Sequence, residues 1–304
     1  MKRSFISTLG AGITIFIAAL AFTATPAFAA QSTVNLGTSS PFAILAGTPN
    51  ITDAGNTSVI NGNVGLSPAT GANIGILCSQ VTGTIYSVDA AGPLPCRVTD
   101  GPLMVTAKNN LTNAYINAAG RTPLTTVSTE LGGQTLVAGV YDSASTTLGI
   151  TAGAGALVLD GQNDPSSVFI FQAPFSGTGL TVGAGSTVTL INGAQACNVF
   201  WRVDTASIGT TANFVGTILA LNSISVNNGA TINGRLLARN GDVTLINDTI
   251  TASVCAGNDT SDNTPPGLPD TGESNTRLLL VGIPSLLIVL AFAITLVVRK
   301  RHSA

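Results

Sequence analysis

A repeat of about eighteen residues constrains this chain more than any other feature, because each period holds three short strand-like segments. Gly216-Thr-Ile-Leu-Ala-Leu-Asn222 aligns with Gly234-Arg-Leu-Leu-Ala-Arg-Asn240 at an offset of 18. Ile224-Ser225-Val226 aligns with Val243-Thr244-Leu245 at 19, and Thr231-Ile232 with Thr249-Ile250 at 18. Val168-Phe-Ile-Phe-Gln172 and Val199-Phe-Trp-Arg-Val203 read as earlier copies of the first segment. Three strands per period is what a triangular β-solenoid requires. A single turn of chain has no means of burying its own apolar side, so stacked turns supply the core.

The three segments differ in pattern. The first is apolar on both sides, as in Ile218-Leu219-Ala220-Leu221, and such a face must be covered. A helix read from about Pro102 to Ala119 is the candidate cover. Asp100 stands at its cap, Pro102 in its first turn and Gly120 at its end. Its core stripe reads as Leu103, Ala107, Leu111 and Tyr115, with Met104, Ala114 and Ala118 beside it.

The other two faces alternate. On the second, Leu148, Ile150, Leu180, Val182, Ile208, Ile224, Val226, Val243 and Leu245 point inward. Thr147, Thr151, Thr181, Ser207, Ser225 and Thr244 point outward. On the third, Val188, Leu190, Ala212, Phe214, Ile232 and Ile250 point in, and Thr187, Thr189, Thr211, Thr231 and Thr249 point out. Stacked strands place equivalent residues roughly 4.8 Å apart, and i, i+2 neighbours about 6.6 Å apart. A flat face of threonine is then a grid of stiffly held methyl and hydroxyl groups, able to order water into a lattice.

Composition narrows the chemistry. Only 9% of the residues are charged, and the one histidine is His302. A His-based triad and a His-ligated metal have almost nothing to draw on, and a formal charge of -2 excludes a basic nucleic-acid surface. The acids Asp142, Asp160, Asp164, Asp204, Asp242 and Asp248 are scattered and sit mostly at turns. Asp160 and Asp164 bracket Gly161-Gln-Asn as a turn rather than a Ca²⁺ loop. Trp201 lies in an apolar strand and reads as core, not as a sugar-stacking platform. Catalysis, a metal and a cofactor are therefore not expected, and a monomer is.

The two ends read as addresses. Residues 1–29 carry Lys2 and Arg3, an apolar run from Ile13 to Phe22 and the Ala27-Phe28-Ala29 site of a secretory signal peptide. The solenoid is expected over residues 30–255, followed by a polar stalk over 256–267. Leu268-Pro269-Asp270-Thr271-Gly272 comes next, then an uncharged run from Leu278 to Val298 long enough to span a bilayer. A basic tail, Arg299-Lys300-Arg301, opens residues 299–304. This order resembles the sortase cell-wall sorting signal of Gram-positive bacteria. The resemblance implies cleavage between Thr271 and Gly272 and attachment of Thr271 to peptidoglycan, the membrane being met only through the transient C-terminal segment. The remaining piece, residues 30–271, holds six basic and thirteen acidic residues, a net charge of -7.

Four cysteines in an exported chain suggest two disulfides, and no CxxC or histidine partner favours a metal. Three pairings are open. Cys78–Cys96 with Cys197–Cys255 is preferred because it crosses the fold least.

From Leu36 to Val254 the chain resembles the ice-binding-like family. The resemblance is carried by Phe42-Ala-Ile-Leu-Ala-Gly47, Ala118-Ala-Gly-Arg-Thr122, Leu131-Gly-Gly133 with Gly139-Val-Tyr141, and Asp164-Pro-Ser-Ser-Val-Phe-Ile-Phe171. It continues through Asn192-Gly-Ala-Gln-Ala-Cys-Asn-Val-Phe-Trp201, Gly216-Thr-Ile-Leu-Ala220 and Gly234-Arg-Leu-Leu-Ala-Arg-Asn-Gly241. It implies a mostly β fold: a triangular, right-handed, discontinuous β-solenoid with one long α-helix packed alongside. It also implies ice contacts from one flat face through a T-A/G-x-T/N motif. Thr178-Gly179-Leu180-Thr181 matches that motif, whereas Ser207 and Ser225 depart from it. The expected surface is the second face, with Thr147, Thr151, Thr178, Thr181, Ser207, Ser225 and Thr244. The third face is the alternative, and a wall-anchored adhesin without ice activity is the competing function.

Overall fold

The computed structural model describes residues 31–143, 145–173 and 179–256. The signal peptide, nearly all of the stalk, the 268–272 motif, the 278–298 run, the basic tail and Thr178 lie outside the described residues.

Three stacks of parallel strands form the walls. The long sheet runs in the order Arg97–Thr99, Ile85–Ser87, Asn63–Leu66, Phe42–Ala46, Thr231–Ala238, Asn213–Ala220, Val199–Val203, Phe169–Ala173, Gly139–Ser143, Leu124–Val127. The second runs Leu148–Ile150, Gly179–Val182, Thr205–Ile208, Ile224–Val226, Val243–Leu245, Ile51–Asp53, Ile74–Gly75. The third joins Thr135–Val137, Leu157–Asp160 and Val188–Ile191, and a bridge from Thr187 to Asn213 continues it. Beyond that bridge lie the first halves of Asn213–Ala220 and Thr231–Ala238, then Thr249–Thr251 and Val59–Asn61.

The sequence pattern separates the third-face and long-sheet segments. In two coils they are instead one eight-residue strand that turns the corner at glycine. Gly216 has φ of +112°, a conformation L residues rarely adopt. A Cβ on Gly234 would stand 1.9 Å from the Gly216 carbonyl oxygen, so only glycine lets these two corners stack.

The stack is discontinuous in sequence. The first long-sheet strand, Phe42–Ala46, lies inside the sheet, paired with Thr231–Ala238 on one side and Asn63–Leu66 on the other. Coils built from residues 42–99 extend one way. The chain then crosses to the far end, and residues 124–251 coil back to meet the start. The crossing explains the length of the helix. Ten strands about 4.8 Å apart span roughly 43 Å. The 19-residue helix Gly101–Ala119, at 1.5 Å per residue, gives about 28 Å, and its short extended flanks supply the rest.

The helix begins where the sequence places it, with the Leu103 N–H donating to Asp100 Oδ1 at 2.9 Å. Its buried stripe differs by one residue from expectation. Met104, Ala107, Leu111, Ala114, Tyr115 and Ala118 are buried, while Leu103 is only half-buried. A strict i+4 row winds off the face by about 40° at each step, so alternating steps of three and four hold the contact. This stripe packs on Phe42, Leu45, Ile170, Phe200, Leu219 and Leu237 of the long sheet. The opposite side of that sheet faces the solenoid interior.

The seam between first and last coils is polar and closed. Arg235, 5% exposed, donates to Ser40 O at 2.7 Å, Ser253 O at 2.7 Å and Ser253 Oγ at 3.2 Å. Burial holds its guanidinium down to about 10. At another corner, Ser58 Oγ donates to Asp53 Oδ1 at 2.8 Å and accepts the Asp248 N–H at 2.9 Å. Burial pushes the Asp248 carboxyl up to about 6, helped by the nearby Asp53 charge. Both expected disulfides, Cys78–Cys96 and Cys197–Cys255, are present, with Cα atoms 5.5 and 5.4 Å apart.

Candidate functional site

The second face is built by strict alternation. Leu180 and Val182, Ile224 and Val226, and Val243 and Leu245 are buried, which turns the residue between each pair outward. Parallel register then lines these residues up across the stack as Thr181, Ser207, Ser225, Thr244 and Thr52. Gly149 and Gly75 continue the row at its two ends. Thr181, Ser207 and Ser225 are exposed, and Thr244 and Thr52 are half-exposed. The result is five neighbouring hydroxyl groups at the ~4.8 Å strand spacing.

Thr147 falls in the flanking row. It precedes Leu148, which pairs with Leu180, so it aligns with Gly179 and Thr205. Backbone bonds from Ala206 to Ser223 and from Ile224 to Asp242 extend that row through Ser223 and Asp242. Thr151 sits on the other side of the central row, at the stack's end. Its N–H donates to both Glu130 carboxylate oxygens at 3.1 Å. Partial burial would raise the Glu130 pKa, but bonds from the Thr151 hydroxyl and the Gly132 and Thr151 N–H groups hold it below its ordinary value. Asp242, and Glu130 at the row's end in register with Gly149, are the charged residues among these outward positions.

Thr52 is the member of the row that the repeat does not reveal. It comes from the first coil, which docks beside the last, so no constant offset relates it to Thr244. Its only local sign is Thr between Ile51 and Asp53, the side chains of which are buried.

The third face is less regular. Thr187, Thr231 and Thr249 share a row, but Asn213 stands between Thr187 and Thr231, and Val59 follows Thr249. Thr211 is not on the face. It occupies a corner turn with φ of +55°, its N–H donating to Asn228 O, because the strand starts two residues later. Thr189 lies one row over, facing Val158 across the ladder.

The remaining candidates serve the scaffold. Asp160 Oδ1 accepts from the Gln162 N–H at 2.8 Å, and Asp164 Oδ1 from the Ser166 N–H at 2.8 Å, in a turn where Gln162 and Asn163 are left-handed. Trp201 is fully buried, stacked 4.0 Å from Phe171. Among the described residues, no three His, Cys, Asp or Glu side chains gather as a metal site.

The hydroxyl row thus lies on a parallel solenoid whose long sheet is covered by the helix. The family model described as Ice-binding-like matches residues 44–251. The chain belongs to the ice-binding-like family. It is 42% identical over 222 residues to an ice-binding protein of Flavobacterium frigoris, spanning 72% of this chain and 76% of the relative. It is 43% identical over 223 residues to one from a Colwellia species, spanning 72% and 83%. Among solved structures, the Shewanella frigidimarina ice-binding protein_1 domain is 29% identical with a TM-score of 0.65, covering 74% of this chain and 99% of that one. The ice-binding protein of Antarctomyces psychrotrophicus is 33% identical with a TM-score of 0.59, covering 73% and 100%. The two solved structures consist almost wholly of the matched region, so that region stands alone as a folded chain in those proteins.

Proposed function

We propose that this chain is a cell-surface protein that adsorbs to ice through its second face. The observation that carries this reading is the unbroken row Thr181, Ser207, Ser225, Thr244 and Thr52 on a wall of parallel strands with little charge. Strongly hydrated ions would disturb ordered water at such a wall, and threonine's branched side chain holds its methyl and hydroxyl still. The chain is a binding protein rather than an enzyme. Its two disulfides mark it as exported.

The anchoring signal fits the same reading. The Cys197–Cys255 disulfide fixes the end of the domain beside the loop before Val199–Val203, and the Ala256 N–H donates to Gln195 Oε1 at 2.6 Å. That loop is the corner between the third face and the long sheet. In a three-sided coil it is the corner opposite the second face, so the last described residues lie away from the hydroxyl row. Thr271 is the residue joined to peptidoglycan by sortase.

Purified residues 31–256 are expected to shape ice crystals and slow recrystallisation. Unshaped crystals, or saturable binding to a glycan with indifference to ice, would overturn the ice reading. In the host cell, Thr271→Ala should move the chain from the wall fraction to the membrane fraction. An unchanged wall fraction would remove sortase from the account.

A further inference from the structure

The hydroxyl row of the second face has two borders, and their chemistry differs. Each lies two residues along the strands from the row, a step of about 6.6 Å. On the side where the chain enters these strands, register carries the border through Ser223, Asp242, Asn50 and Asn73. This border is polar and holds the Asp242 charge.

On the side where the chain leaves the strands stand Asn227, Ile246, Ala54 and Leu77. Leu245, Asp53 and Ile76 are buried, which turns the residue after each outward. Leu245 pairs with Asp53, and the Ala54 N–H donates to Leu245 O at 2.9 Å, so Ile246 and Ala54 are neighbours. Thr52 pairs with Gly75, which sets Leu77 beyond Ala54 in the same line. Ile246 is 38% exposed and Leu77 49%, and Ala54 is exposed as well. Three adjoining strands thus carry a contiguous apolar strip beside Thr244 and Thr52. Single exposed apolar residues are ordinary, whereas a contiguous strip marks a contact surface. Farther along, the same border is Gly209 and Gly183, where a Cβ on Gly209 would stand 2.5 Å from the Gly183 carbonyl carbon. That half offers backbone alone.

We propose that the ice contact is lopsided: it runs from the hydroxyl row over Ile246, Ala54 and Leu77 and leaves the Asp242 border in liquid water. This rests on the second face being the ice surface, and it assigns the stronger half of that face to the join between the last and first coils. Water over apolar carbon keeps its hydrogen bonds for other water, so a shell ordered over these methyl groups is free to merge with a lattice. A carboxylate binds its own shell of water and gives it up only at a high cost. The two borders therefore differ in what they do to the same layer of water.

The test uses residues 31–256, which contain the region that stands alone as a folded chain in the two solved relatives. Asp242 and Ile246 stand two residues either side of Thr244, so lysine at each puts the same group at the same distance from the row. Ile246→Lys should lower thermal hysteresis about tenfold at equal concentration, and Leu77→Lys should lower it by less, since Leu77 lies at the end of the strip. Asp242→Lys should stay within about twofold of the parent. Circular dichroism checks that each variant folds. Equal losses from Asp242→Lys and Ile246→Lys, a larger loss from Asp242→Lys, or parent-like activity in both Ile246→Lys and Leu77→Lys would overturn the lopsided contact. A parent that leaves ice unshaped, or Ser225→Arg with full activity, would overturn the second face itself and the lopsided contact with it.

Discussion

Ser225→Arg is expected to cut ice adsorption by about tenfold or more, equivalent to ~1.4 kcal/mol at the bound face. Ser225 occupies the middle of the hydroxyl row, with Ser207 on one neighbouring strand and Thr244 on the other. Adsorption to a crystal depends on many weak contacts made together by one flat surface. A long charged side chain at the centre lifts its neighbours off the plane and brings its own tightly held water. The exposed site packs against nothing, so stability should change by less than about 0.5 kcal/mol. Thr231→Arg on the third face is the control and should leave activity near that of the parent. Ser225→Thr should raise activity, since it adds the methyl group that the row lacks there. Thermal hysteresis and crystal shaping measure all three. If Thr231→Arg destroys activity and Ser225→Arg does not, the third face is the ice surface.

The coil architecture was legible because its period is written in the chain. Gly216 and Gly234, Leu219 and Leu237, and Ser225 and Thr244 are related by offsets of 18 or 19, and the structure pairs each couple across a ladder. The helix was legible from its cap and its period. The point of failure is equally physical. The place where residues 42–99 join the stack is set by the length of the helix and by a polar seam around Arg235 and Ser58, and neither leaves a periodic trace. Thr52 therefore escaped notice, although it completes the row. Thr211 misled for the opposite reason. It lies in a stretch that alternates as a strand would, but a left-handed turn carries it round the corner and leaves Asn213 in its place.

That seam also bears on how the site stays flat. The second face is only as planar as the coils behind it, and the row passes through the join between Thr244 and Thr52. Buried bonds from Arg235 to Ser40 and Ser253 hold the first and last coils in register on the neighbouring walls. The proposed ice surface thus depends on contacts that never touch it.

Trp201→Ala should produce the largest loss of stability of any change considered, about 3–5 kcal/mol. The indole is fully buried at the middle of an aromatic ladder that runs through the stack. Tyr141 and Phe171 are 5.3 Å apart, Phe171 and Trp201 4.0 Å, and Trp201 and Phe214 5.2 Å. Its N–H donates to Val215 O at 3.0 Å, across the corner where Gly216 turns the strand. Truncation removes two ring contacts, opens a cavity between rigid coils and takes away the donor to the part-buried Val215 carbonyl. Neighbouring strands are hydrogen-bonded on both sides, so the wall has little freedom to collapse into the space. Trp201→Phe keeps most of the ring and should lose roughly 1–2 kcal/mol, largely the hydrogen bond. Urea denaturation followed by circular dichroism measures both, since Trp201 is the chain's single tryptophan and its fluorescence is lost with it. Near the freezing point the Ala variant should remain folded and still shape ice, which separates the ring's structural role from the surface's. A loss below about 1 kcal/mol would mean that the ring is not the packed core the ladder makes it.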